Sequence, residues 1–147
     1  MTAAVHDEFG VSHILVNELP AELGGPDAPA RYDVAAVFTR RPDPRELTLL
    51  EQPAVRARLA EAGYGDVGLR VADRRLIIEG TSLDELAGGL AELIGRILAD
   101  IGERAAAEKL SRDESAAEHA RAETSRAAAV LAAAERVDFR PHKSANE

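Results

Sequence analysis

Between residues 11 and 101 the large apolar side chains follow two rhythms, alternation as in a half-buried strand and a 3.6-residue spacing as in an amphipathic helix. "SHILVNEL" (12–19) reads as a short strand. "RYDVAAVFT" (31–39) reads as a clearer one, with Tyr32, Val34, Ala36 and Phe38 on one side and Val37 on the other. The eleven residues between them, "PAELGGPDAPA", are proline and glycine punctuation. "RPDPRELTLLEQ" then opens a helix, with Asp43 as N-cap, Pro44 at the first helical position and Glu46 placed for a capping box. Pro53 lacks the N–H that a continuing helix needs, so the helix should stop or kink near Gln52 and a second should follow. The second packs Val55, Leu59 and Ala62 and ends at Gly63.

"DVGLRVADRRLIIEGT" has the alternation of a hairpin: Val67, Leu69 and Val71, a turn over Ala72–Arg75, then Leu76 and Ile78 with Ile77 opposite. A capping box from Ser82 to Glu85 starts the last helix, whose apolar face is Leu83, Leu86, Leu90, Leu93, Ile94, Ile97, Leu98 and Ile101. The order β-β-α-α-β-β-α predicts an α+β fold, a small mixed or antiparallel sheet with helices on one face and the last helix extended into a long alanine-rich arm. The predicted organisation is a flexible start (1–10), a core domain (11–101), a helical arm (102–137) and a disordered tail (138–147).

In the arm the apolar rhythm nearly stops. Between Ile101 and Val130 the only large apolar residue is Leu110, although alanine keeps helical propensity high. Ser111-x-x-Glu114 is a third capping-box match, so a break is expected near Ser111. A helix continuous from 82 to 137 would be about 84 Å long. A thin small-residue register recurs every eleven residues, through Ile94, Ala105, Ala116 and Ala127 and, beside it, Leu98, Lys109, Ala120 and Leu131. On the helix face opposite the core stripe lie Gly88, Gly95, Ala99, Gly102 and Ala106, interrupted by Glu92. The resulting candidate partner interface is Gly88, Gly95, Ala99, Gly102, Ala105, Ala116, Ala120, Ala127 and Leu131. A solvated helix in an alanine-rich chain is the plainer explanation of the same residues.

Composition narrows the function classes. Of 147 residues three are Phe, two Tyr and none Trp, so Leu, Ile and Val supply the core volume. With no cysteine there is no disulfide, thiolate metal site or cysteine nucleophile. No apolar run approaches the ~18 residues of a membrane span and no apolar leader follows a basic start. A cytoplasmic protein without membrane contact is therefore expected. The net charge of −8 disfavours nucleic acid, whose phosphates reward positive charge. Residues 31–75, however, hold nine arginines against seven acids. Arg40, Arg41, Arg70, Arg74 and Arg75, with Arg45 nearby, form the candidate nucleic-acid contact, although no aromatic interleaves with them for base stacking.

Individual motifs add little. Gly63-Tyr-Gly65-Asp-Val-Gly68 fits G-x-G-x-x-G but follows a helix and precedes a strand, the reverse of a dinucleotide-binding loop. The strand–helix–helix–strand–strand–helix order of 32–101 is similar to KH domains in topology only. Their nucleic-acid-gripping G-x-x-G loop would fall in "LLEQPAVR", which has no glycine. His6, His13, His119 and His142 have no ligand spacing, and Asp33, Asp66, Asp73 and Glu79 cannot be paired from sequence. No catalytic, cofactor-binding or metal-binding residue is assigned, and no cofactor is expected. The expected role is a non-enzymatic, oligomerising adaptor or regulator whose partner is a protein or a second copy of itself. A nucleic-acid-binding regulator using the arginine hairpin comes next, and a small-ligand domain or enzyme third.

Overall fold

The computed structural model describes residues 8–141. The fold is α+β. Its elements are β1 (Val11–Ile14), a 3₁₀ turn (Val16–Glu18), β2 (Tyr32–Phe38), α1 (Pro44–Leu50), α2 (Pro53–Glu61), β3 (Gly68–Ala72) and β4 (Arg75–Thr81). One helical turn, α3 (Leu83–Glu85), and a π-turn (Leu86–Leu90) then lead into α4 (Ala91–Glu135). The chain divides into two compact units, residues 1–106 and 107–147.

The sheet is antiparallel throughout, in the order β1-β2-β4-β3. Its register pairs Val34 with Ile78 and Ala36 with Leu76, while Leu69 and Val71 oppose Ile78 and Leu76 from β3. Directly opposed residues share a face, so this register gathers the apolar alternates of three strands on one side. Helices α1, α2 and α4 cover that side with Leu49, Leu50, Val55, Leu59 and the α4 residues Leu93, Ile94, Ile97 and Leu98. The hairpin turn is Asp73-Arg74, both with positive φ (52° and 66°), as a two-residue loop between twisted strands requires.

Glu46 does cap α1, its carboxylate accepting from the Asp43 N–H at 2.8 Å. Gln52 and Pro53 end α1 and start α2 as expected. Ser82 Oγ accepts from the Glu85 N–H at 3.0 Å, but the Glu85 carboxylate turns to the buried Thr81 hydroxyl at 2.9 Å. Gly88, Gly95 and Gly102 cost ~2–3 kcal/mol in helix propensity relative to alanine. Each of the buried leucines and isoleucines of α4 contributes about 1.5–3 kcal/mol, so burial wins over propensity and the helix forms.

Several expectations are corrected. The first strand covers only residues 11–14, and Leu15 leaves it for the 3₁₀ turn. Residues 8–10 are not a loose start: Phe9 is 1% exposed and stacks on Phe38 with ring centroids 5.3 Å apart. The Thr39 hydroxyl donates to the Glu8 carbonyl at 2.7 Å and accepts from the Gly10 N–H at 3.1 Å. Leu83, expected in the core stripe, is exposed. Ser111 lies inside an uninterrupted α4. A capping box ends a helix only where the chain leaves it, and no glycine or proline occurs between 103 and 140. The interruption sits at Gly89 instead, where φ is 137° and the backbone bulges into the π-turn. The helix ends at Glu135, short of 137; residues 142–147 of the expected tail, His6 and His142 lie outside the described residues.

Candidate interaction surface

The arginines proposed for nucleic acid do not form a free cationic patch. Arg40 donates to both carboxylate oxygens of Glu46 at 2.7 and 2.6 Å, and its guanidinium lies 5.3 Å from the Phe9 ring centroid. Glu46 is 1% exposed. Burial pushes its pKa up, but the Arg40 and Asp43 hydrogen bonds and the Arg40 charge outweigh that and hold it below the ordinary value. Arg40 is therefore committed to the buried Glu46 carboxylate rather than free for a partner. Arg70 donates to Glu79 at 2.9 Å across the β3–β4 ladder, and Arg75 pairs with Glu18. Only Arg41 and Arg74 of the five remain without an ion pair among the described residues. Opposite charges thus neutralise the hairpin locally, which sequence alone could not show because Glu18 is 57 residues from Arg75.

The small-residue stripe, which runs from the π-turn into α4, divides in two. Gly88 and Gly95 are exposed, a Cβ on either would meet nothing within 4 Å, and Ala99 is half-buried. Gly102 and Ala105 are not available to a partner. A Cβ on Gly102 would stand 2.9 Å from Phe9 Cβ, and Ala105 is 7% exposed within the core. The cause is Phe9: read from sequence as part of a loose terminus, it occupies the groove that Gly102 leaves.

Beyond residue 106, Ala116, Ala120, Ala127 and Leu131 are all exposed, and so is every described residue from Lys109 to Pro141. Leu110, Val130, Leu131 and Val137 remain more than half exposed, and Phe139 is 94% exposed. Water surrounds this helix on all sides, so its persistence rests on alanine propensity and on pairs such as Arg126–Glu123 at 3.0 Å. Val130 and Leu131 are adjacent on this helix, Leu110 stands alone twenty residues before Val130, and Val137 and Phe139 lie beyond its end at Glu135.

Asp33, Asp73 and Glu79, left unpaired by the sequence, are held in structural roles. Asp33 accepts from the Gly80 N–H at 3.2 Å, Glu79 holds Arg70, and Asp73 forms the turn. His13 Nδ1 is 3.1 Å from Ser12 Oγ. No group of three or more His, Cys, Asp or Glu that could hold a metal exists among the described residues. A cleft of about 270 Å³ opens between α1, α2 and α4, floored by Leu49, Val55 and Ile97 and edged by the Arg58–Asp100 pair at 2.7 Å. Sequence offers no signal for it, since its walls come from segments some 40 residues apart, as the 42-residue separation of Arg58 and Asp100 illustrates. Among the described residues no helix is long and apolar enough to cross a membrane. No protein-family model, no curated protein and no solved structure matches this chain.

Proposed function

We propose that the protein is a non-enzymatic adaptor or regulator that assembles through helix-mediated contacts of residues 107–137. The observation that supports this reading is a helix whose residues from Lys109 to Glu135 are all exposed among the described residues, and that nonetheless carries Leu110, Val130 and Leu131. The core domain is complete without it: its apolar residues form one buried cluster, which stops at Ala105. No residue beyond Ala105 belongs to that cluster among the described residues, and association is the role the arm's apolar residues support. Pairing of Arg40, Arg70 and Arg75 with carboxylates leaves the arginine hairpin a weaker basis for nucleic-acid binding.

The test is the mass in solution of the full chain against a 1–110 truncation. The full chain is expected above the monomer mass, with the excess lost on truncation. A full chain that stays monomeric at millimolar concentration, and retains no protein in pull-downs, would sink the proposal.

A further inference from the structure

Because α4 is unbroken from Leu110 to Leu131, these two leucines stand 21 residues apart on one helix, three heptads. The heptad that joins them places Leu110, Ala117, Thr124 and Leu131 at one seam position and Asp113, Ala120, Ala127 and Ala134 at the other. All eight are exposed. A seam of this kind admits a close-packed helix, and charge decides which one.

We propose that the arm pairs antiparallel with the arm of a second copy of this chain. The inference rests on the assembly reading above and specifies its partner and geometry. In a parallel pair the two Asp113 carboxylates meet in the seam, which opposes association. In an antiparallel pair, seam positions of one kind face those of the other. Leu110 then packs on Ala127 of the second copy, Ala117 on Ala120, and the Thr124 hydroxyl donates to the Asp113 carboxylate. Each large residue thus meets a small one, and the seam's only charge meets a donor. The same register brings Glu114 beside Arg121 of the second copy, and the two-fold axis repeats that ion pair. Glu114 has no cation three or four residues away on its own helix, so the seam gives it a complement that its own helix does not.

The natural chain has no cysteine, so a single Ala132→Cys gives one spin label per copy of the full-length protein. The antiparallel register sets the two labels about 40 Å apart along the axis, whereas a parallel pair keeps them within about 20 Å. Glu114→Arg and Arg121→Glu should each weaken self-association about tenfold, and the double reversal should restore it to within about threefold of the natural chain. A dimer with a short label distance, or charge reversals without mutual rescue, overturns the antiparallel pairing and leaves the assembly reading standing. A monomer in both the natural and labelled chains overturns the two together.

Discussion

Arg40, Glu46, Phe9 and Gly102 form one cluster, and each takes its role from the others. The Arg40 guanidinium neutralises a carboxylate that burial alone would push toward protonation. Arg40→Ala leaves that carboxylate without its cation and should cost about 3 kcal/mol, the low end for a broken buried pair because Arg40 keeps 27% of its side chain in solvent. The pH dependence follows from the lowered pKa of Glu46. A carboxylate held below its unfolded value stabilises the fold above the ordinary glutamate value of about 4.3, and loses that contribution as pH falls through the folded value. In Arg40→Ala the lone carboxylate is relieved by protonation, so the stability gap to the natural protein should narrow from pH 7 to pH 4 in denaturant titrations. A gap that is flat or widens toward acid would refute this role. Two glycines of α4 provide an internal comparison. Gly95→Ala meets open space and should stabilise by about 0.8–1 kcal/mol through helix propensity. Gly102→Ala gains the same propensity but drives Cβ into the Phe9 side-chain base, and overpacking of about 1–3 kcal/mol should make it the destabilising one. Thermal melts of the two variants should move in opposite directions.

Among the elements, α4 has two different supports along its length. From Leu93 to Ala105 it is held by burial. From Lys109 onward it is held by alanine propensity and local charge pairs, which hold a helix less firmly than tertiary packing does. Amide exchange should therefore be slow through Leu93–Ile101 and faster by orders of magnitude over residues 113–135 at low protein concentration. If the arm associates as proposed, raising the concentration should slow the second set and leave the first unchanged. Equal protection in both segments at low concentration would mean that the arm has a support other than its own propensity. The π-turn at Gly89 has a separate cause. A φ of 137° is strained for any side chain, and the Tyr64 hydroxyl stands 3.2 Å from where a Cβ would be. Leu86 and Leu90, on either side of this glycine, are both buried.

For the molecule as a whole, charge and apolar surface are distributed differently. The net charge of −8 favours dispersal, yet the arm's acids and bases nearly balance, so a second arm can approach without long-range repulsion. Truncation at residue 110 should accordingly abolish self-association and leave the core's folding transition in place, since the buried cluster ends at Ala105. That combination separates an arm that assembles the protein from one that holds its domain together.

Element order and type were legible from local chemistry: alternation marks the strands, Asp43 and Glu46 start α1, Pro53 divides the helices, and the leucine–isoleucine stripe makes α4. These are contacts among residues a few positions apart, and one sequence encodes them directly. Phe9 was not legible, because a lone aromatic in a polar segment has no period. Its burial follows from long-range hydrogen bonds of Thr39 to residues 8 and 10. The same holds for the partners of Arg40, Arg70 and Arg75: the sequence supplied the charges, while strand register and helix placement decided which carboxylate each would meet. The candidate surface divides along the same line. Sequence alone determined that residues 103–135 are helical and poor in core formers, since alanine propensity is local. Tertiary structure decided that Gly102 and Ala105 are spent inside the core while Leu110, Ala120, Ala127 and Leu131 stay exposed, because burial depends on which distant residues fold back onto each turn of the helix.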